Sequence, residues 1–214
     1  MAYIVDGSEL QVGTKLTVVA TPANSASVTR YGTDGRDVSC QSKATYSCVG
    51  EFTPAATPTD MVRITGSPTK TIRVVSMYFT ASNTLGGVSE TLFLNKRVMP
   101  NFGGTFVAAT AVPFDSLDAA ATALVGHYTA NPTTLGQIMG TINSVRVALP
   151  PVIPTSFAGH AEDAGVELLP WLSASVLDKM VTLRGVSECM VVNFNSAPLF
   201  AGEVHAYRIV WTEE

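Results

Sequence analysis

The chain has 214 residues, enough for one folded domain with or without a peripheral arm. Charged residues make up 14% of it and hydrophobic residues 46%, against about 25% charged residues in average proteins. The net charge of −4 argues against a nucleic-acid binder, and no apolar run reaches the roughly 18 residues that a membrane helix needs.

The shortage of charge predicts an oligomer or a subunit of a larger assembly. Apolar surface that lies neither in the core nor in a membrane has to be covered by other protein. The N-terminal sequence MAYIVDGSEL has no basic region followed by an apolar run, so we expect no signal peptide.

The first 43 residues differ in composition from the rest of the chain. Residues 15–21 (KLTVVAT) fit a strand, whereas residues 23–43 are polar and rich in turn-forming residues. We expect 1–43 to form an arm or peripheral hairpin that orders against a neighbour, and 44–214 to form the main domain. The sequence GTDGRD at 32–37 lacks the ligand spacing of a calcium loop, which argues against calcium binding there.

From residue 44 onwards, short runs alternate between apolar and polar residues, as β-strands do. The runs that fit strands lie at 44–52, 61–66, 72–81, 88–98, 142–149, 181–185, 188–195 and 203–214. The run at 72–81 is largely apolar on both faces, so we predict a central strand covered on both sides. Strict alternation would place Ile72, Val74, Ser76 and Tyr78 on one of these faces.

The connections between these runs favour a sandwich of antiparallel sheets. Glycine pairs at 86–87 and 103–104 fit turns, because no Lys-Ser/Thr follows them as in a phosphate-binding loop. Residues 150–172 hold four prolines and fit a long excursion over one end of the fold. Nine or ten short strands predict an all-β antiparallel sandwich, of jelly-roll type, with at most one short helix.

The segment PFDSLDAAATALVGHYTANPT contains two aspartates and a histidine that could suggest acid–base chemistry. Helical spacing does not bring Asp115, Asp118 and His127 together, so we predict a structural corner. Asp115 or Ser116 would cap one helical turn at 117–120. A strand would follow from about residue 121, with Leu124, Gly126 and Tyr128 on one side and Ala123, Val125 and His127 on the other.

We expect the remaining charged groups to be solvated. We expect the NKR group at 95–97 to be an exposed strand end, and Glu213 and Glu214 to form an exposed tail. Glu162 and Asp163, beside His160, would lie in a solvated loop.

No pattern of metal ligands or catalytic groups is visible in the sequence. Three cysteines, Cys40, Cys48 and Cys189, fit buried reduced thiols, although Cys40 and Cys48 could pair across a hairpin. There is no C-x-x-C, and the three histidines (His127, His160 and His205) lie in unrelated contexts. G-x-S-x-G, H-E-x-x-H and P-loop motifs are also absent, so we predict no catalytic, cofactor-binding or metal-binding residues and no enzyme.

Several long motifs stand in residues 44–149 and 181–214: FTPAATPTD, ITGSPTKTIRV, PFDSLDAAATA, YTANPTTLG and a terminal WTEE. In these segments the chain resembles a group of structural proteins of tailed-bacteriophage virions. The resemblance implies a non-enzymatic component of the virion, made in the cytoplasm of the host bacterium, with no catalytic residues to carry over. Residues 1–43 and 150–172 are not part of it.

Within that group, the low charge and the expected sandwich favour a capsid decoration (cement) protein on the capsid surface. Its expected partners are further copies of itself, as a homotrimer, and the major capsid protein, but neither nucleic acid nor a membrane. The absence of repeats argues against a fibre shaft. The alternative is a host-attachment module of a head or tail fibre that binds carbohydrate, for which the candidate aromatic residues are Tyr31, Phe102, Tyr128 and Trp171.

Overall fold

A computed structural model describes residues 43–84, 88–149, 166–169 and 180–214. Within them, Ala44–Glu214 belongs to one compact unit. The predicted arm at 1–43, apart from its last residue, lies outside the described residues. So does most of the excursion at 150–172, together with Cys40 and the acidic pair beside His160.

Every regular element in the described residues is a strand, and none of these residues forms a helix that could cross a membrane. The strands are β1 (Ala44–Phe52), β2 (Asp60–Thr65), β3 (Thr71–Ser82), β4 (Val88–Arg97), β5 (Thr105–Ala108), β6 (Val112–Pro113), β7 (Leu124–Ala130), β8 (Ile138–Leu149), β9 (Val166–Leu169), β10 (Val181–Arg184), β11 (Cys189–Asn193) and β12 (Val204–Glu213). The eight strands predicted from alternation all form, within a few residues of the expected bounds.

The strands build two antiparallel six-stranded sheets. Sheet I has the order β10-β3-β12-β1-β6, with β9 also paired to β3, and sheet II has the order β5-β7-β2-β11-β4-β8. This confirms the predicted all-β antiparallel sandwich; the jelly-roll connectivity remains a prediction. Between the sheets, β7 contacts β1 while β8 contacts β3 and β9, so β6 and β8 lie at opposite lateral edges of the sandwich.

The core lies between the two inner faces, because alternate residues of the strands point there. Sheet II contributes residues such as Ile64 and Val192, which are fully buried. Sheet I contributes larger side chains, including Trp211, whose ring stacks on that of Tyr46 at 5.7 Å. Burial of these rings supplies much of the apolar free energy that holds the sheets together.

Strand β3 is central, as predicted, but its faces are not those that strict alternation gives. The pairing with β12 shifts register between Val210 and Trp211, which marks a β-bulge. Before the bulge the inward-facing residues are Ile72 and Val74, and after it they are Met77 and Phe79. All four are fully buried. The predicted grouping of Ile72 and Val74 with Ser76 and Tyr78 is therefore wrong, because a bulge inverts the alternation and leaves no mark in the residue pattern.

The corner before β7 is a turn and not a helical turn. The Asp118 amide donates to the Asp115 carbonyl at 3.0 Å, and the Leu117 amide donates to Asp115 Oδ1, also at 3.0 Å. Asp115 therefore caps a β-turn, a role that its short side chain fills in turns as it does at helix starts. The predicted helical turn at 117–120 is wrong, whereas the predicted faces of β7 are confirmed, since Val125 and His127 face the core.

Candidate functional site

The three residues that first suggested catalysis occupy different environments. Asp115 and Asp118 lie in the half-buried turn after β6, whereas His127 is buried on β7 between the sheets. The His127 ring stacks on Phe52 at 4.4 Å, and Nδ1 lies 3.2 Å from Tyr207 Oη. Burial lowers the pKa of His127 below its ordinary value of 6.5, so the ring is neutral. These contacts give His127 a packing role.

Asp60 organises a buried polar network on the outer face of sheet II. The Arg97 guanidinium binds both Asp60 oxygens, at 2.7 and 3.0 Å. The side-chain amides of Asn101 and Asn193 each donate to Asp60 at 2.7 Å, and Arg97 also donates to the Gly136 carbonyl. We predicted a solvated strand end at 95–97, but Asn95 and Arg97 are buried, so the prediction is wrong for both. Residues of the loops 99–104 and 131–137 contact this network, and the sequence around 95–97 gives no sign of these contacts.

Glu213 is also buried and does not form the exposed tail that we predicted. Its carboxylate accepts hydrogen bonds from the amides of Thr122 and Ala123, from the Thr122 hydroxyl and from Trp211 Nε1. Burial alone would raise the pKa of Glu213, but these hydrogen bonds outweigh it and lower the pKa. Glu214 forms an ion pair with Arg73 at 2.8 Å. The end of β12 is thus fastened to the turn before β7.

The two described cysteines are buried free thiols, as the reduced interpretation expects. Burial raises the pKa of Cys48 to about 12 and that of Cys189 to about 11. Neither thiol is therefore a reactive thiolate near neutral pH.

A third buried polar group joins the two sheets. Glu90 comes from β4 in sheet II, Glu203 directly precedes β12, and His205 is the second residue of β12 in sheet I. One carboxylate oxygen of each glutamate and one imidazole nitrogen lie within 4.8 Å of one another, and all three residues are buried. We call these three residues the Glu90 cluster. The sequence did not reveal it, because the glutamates are 113 positions apart (203 − 90) and belong to different sheets.

Hydrogen bonding in the Glu90 cluster is uneven. His205 Nε2 contacts Glu203 Oε1, and Glu203 Oε2 accepts the Phe200 amide at 2.9 Å. Glu90 Oε1 and His205 Nδ1 have no hydrogen-bond partner within the described ranges. Burial, a side-chain hydrogen bond with Glu203 and the charge of Glu203 raise the pKa of Glu90 to about 8. Burial would also raise the pKa of Glu203, but hydrogen bonds from His205 and the Phe200 amide outweigh it and lower that pKa.

A cleft of about 390 Å³ opens beside the Glu90 cluster at one end of the sandwich. Glu203 lines this cleft together with Thr53, Pro54, Leu199, Phe200 and Gly202. Away from the cleft, the His205 ring packs against Phe52, Phe79 and Phe194, with ring centres 5.2 to 5.9 Å apart. The cluster therefore has an apolar surround, and the Glu203 and His205 side chains lie fully buried beneath the cleft.

Most of the large exposed apolar side chains of the described residues fall into two groups, one near each lateral edge, whereas Phe102, Val107, Leu124 and Val186 lie outside both groups. On the outer face of sheet I, around β6, they are Val49, Val112, Phe114 and Leu117, which we call the β6 surface. Leu117 is 84% exposed and Phe114 is 55% exposed. Removing apolar side chains of this size from water lowers the free energy, so the β6 surface is a candidate contact surface.

The opposite edge carries a second apolar group beside strand β8. Its members are Met99, Leu135, Ile138, Met139 and Ile142, which we call the β8 surface. Register shifts in the β4–β8 pairing leave Met139 and Ile142 as extra residues of the edge strand. Bulges at an edge discourage simple extension of the sheet and redirect side chains. The β8 surface is therefore suited to side-chain packing more than to strand addition.

Of the four aromatic residues considered for carbohydrate binding, two lie in the described ranges. Phe102 is exposed, whereas Tyr128 is buried and accepts a hydrogen bond from Arg63. Tyr31 and Trp171 lie outside the described residues. Because Tyr128 is buried, it cannot form an exposed aromatic platform with Phe102.

Compared with models of known protein families, with curated proteins and with solved structures, the chain matches none. Its function has to be argued from the fold, the surfaces and the resemblance of its motifs.

Proposed function

We propose that this protein is a non-enzymatic structural component of a tailed-bacteriophage virion, and that it decorates the capsid surface as a homo-oligomeric cement protein. Its motifs resemble such virion proteins, and its low charge content suits a subunit that buries much of its surface against protein. The β-sandwich supplies a rigid body that could bridge neighbouring capsid subunits.

The observation that carries the proposal is the pair of apolar surfaces at opposite lateral edges. The β6 surface and the β8 surface differ in residues and in backbone shape, so neither is a copy of the other. A contact between two different surfaces of identical chains is heterologous, and such contacts close into rings when the rotation between subunits allows it. A cyclic homotrimer is the ring that we propose.

The free energy available to such contacts is large. Apolar burial contributes about 25 cal/mol for each Å² removed from water, and a stable interface buries about 800 Å² on each partner. Only part of that gain remains after the entropy of association is subtracted. Large side chains such as Phe114 and Met139, which are 55% and 65% exposed, are the expected anchors.

Oligomer formation is tested by native mass spectrometry of the wild-type chain and of two charge variants. We expect the wild type to be a trimer, and both Phe114→Glu and Met139→Glu to be monomers. Mixing the two variants should give a one-to-one dimer, because one intact β6 surface then meets one intact β8 surface. Ala201→Glu adds the same charge to an exposed position outside both surfaces and should leave the trimer intact.

Capsid decoration is tested by adding the wild-type protein to emptied capsids and measuring co-sedimentation and the capsid melting temperature. We expect binding and a higher melting temperature. A wild-type chain that stays monomeric at high concentration and does not bind capsids would rule out the proposal. Trimers that bind glycan arrays and whole cells, but not capsids, would instead favour the host-attachment module.

A further inference from the structure

The Glu90 cluster differs from the other buried carboxylates in how its charge is satisfied. Asp60 accepts four side-chain hydrogen bonds, two of them from the Arg97 guanidinium. Glu213 likewise accepts several hydrogen bonds from Thr122, Ala123 and Trp211. Glu90 is 8% exposed, yet its Oε1 has no partner among the described residues. A desolvated carboxylate oxygen without a partner is costly unless something else binds there.

The Glu90 cluster holds two acidic side chains and one imidazole. Two carboxylates face one imidazole in a site walled by aromatic rings, where unpaired charge is poorly solvated. No arginine or lysine makes a described hydrogen bond or ion pair to Glu90 or Glu203. A divalent cation would neutralise both carboxylates and would bind Glu90 Oε1 directly.

We propose that Glu90, Glu203 and His205 form a binding site for one divalent transition-metal cation of the Zn²⁺ type, which clips the two sheets together. The ligands would be one oxygen from each glutamate and one His205 nitrogen. Carboxylate and imidazole groups together suit Zn²⁺ better than they suit Mg²⁺ or Ca²⁺, which prefer oxygen ligands alone. We predicted no metal site from the sequence, because these three residues come together only in the folded chain.

The spacing of the three ligand atoms fits such an ion after a small adjustment. Zinc ligands at about 2.0–2.2 Å from the ion lie roughly 3.4 Å from one another in a tetrahedron. The ligand atoms here lie within 4.8 Å of one another, so the ion draws in the widest pair and separates the direct Glu203–His205 contact. The cleft beside Glu203 could supply a water molecule as a fourth ligand.

The expected consequence is structural. Glu90 lies on β4 of sheet II, whereas His205 lies on β12 of sheet I and Glu203 directly precedes that strand. An ion bound to all three adds a direct link between the two sheets, so it stabilises the folded chain relative to the unfolded one. The proposal stands independently of the proposed capsid role.

The test uses untagged full-length protein that has been stripped with a chelator and dialysed against one equivalent of Zn²⁺. Elemental analysis should then find close to one zinc per chain. At a free Zn²⁺ concentration about 100 times the dissociation constant, the melting temperature should rise by about 5–10 °C. Substitution with Co²⁺ should give visible d–d absorption without thiolate charge-transfer bands, which excludes binding through cysteine. Wild-type protein that retains no zinc and shows no thermal shift would overturn the proposal.

Glu90→Gln removes one anionic ligand and keeps the size of the side chain. We expect its zinc affinity to fall by at least about tenfold, which at the same free Zn²⁺ concentration reduces the thermal shift to about half or less. The matched control is Glu213→Gln, another buried glutamate, which should bind zinc as the wild type does. If Glu90→Gln bound zinc as tightly as the wild type, or Glu213→Gln lost binding equally, the assignment to these residues would be wrong. Should Glu90→Gln fail to fold, the stoichiometry and the Co²⁺ spectrum of the wild type still decide.

Discussion

At the scale of single residues, the buried charges fasten distant segments of the chain to one another. Asp60 stands at the start of β2, and its four hydrogen-bond donors come from β4, from the loop after it and from β11. Because the donors converge on one fully buried carboxylate, removing it leaves the Arg97 guanidinium desolvated and unpaired.

We therefore expect Asp60→Ala to lower the free energy of unfolding by about 3–5 kcal/mol, the range for breaking a buried ion pair from one side. Glu214→Gln breaks the more exposed pair with Arg73 and should cost no more than about 1 kcal/mol. Urea unfolding of both variants measures the difference. Equal losses in the two variants would show that the Asp60 network contributes little beyond a surface pair.

The same residues show why the sequence could not reveal the polar sites. Arg97 and Glu213 stand at strand ends, where charged side chains are usually solvated, and their partners Asp60 and Thr122 lie 37 and 91 positions away. His205 is similar, because nothing near it in the sequence points to Glu90. Local patterns report which residues share a face, but not which face a distant loop covers.

At the scale of elements, alternation was a good guide to where strands lie. The strand at 44–52 was predicted with the bounds that β1 has. The short strands β5, β6 and β9 were missed, because runs of two to four residues give only a weak alternation signal. The bulge between Val210 and Trp211 was invisible for a different reason: it depends on the partner strand.

Glycine in a strand marks a close approach of another backbone in β7 but not in β8. A Cβ added at Gly126 would lie 2.1 Å from the carbonyl oxygen of Val107 on β5, whereas one at Gly140 on β8 would meet nothing within 4 Å. Gly126→Ala should therefore push β5 away from β7 and lower the free energy of unfolding by about 1–3 kcal/mol. Gly140→Ala should be neutral or slightly stabilising.

Chemical denaturation of the two glycine variants measures these changes, and amide hydrogen exchange locates them. For Gly126→Ala we expect the largest increase in exchange rate in 105–108 and a smaller increase in β11. Unchanged exchange in β5 would contradict the close approach of the two backbones.

At the scale of the whole molecule, two buried groups make the stability depend on pH in the same direction. Burial lowers the pKa of His127 in the folded chain, and hydrogen bonds that outweigh burial lower the pKa of Glu213. A group with a lowered pKa stabilises the fold above its unfolded pKa, and this stability is lost as the pH falls towards the folded pKa. Both groups therefore bind protons more readily in the unfolded chain, so each of them makes acid destabilising. Glu90, whose pKa is raised to about 8, acts in the opposite direction between about pH 8 and 4.5.

The two contributions fall in different pH windows, which allows them to be separated. His127 acts as the pH falls below its ordinary value of 6.5, and Glu213 acts below 4.5. One extra proton on the unfolded chain corresponds to about 1.4 kcal/mol for each pH unit. His127→Phe, which keeps a ring beside Phe52, should lower the slope of unfolding free energy against pH between about 5 and 6.5 relative to wild type, because the positive contribution of His127 is then absent. Glu213→Gln should leave that window unchanged and flatten the dependence below 4.5, with unfolding followed by urea titration in the presence of a chelator. If both variants kept the wild-type slope throughout, neither group would have the lowered pKa on which this acid sensitivity depends.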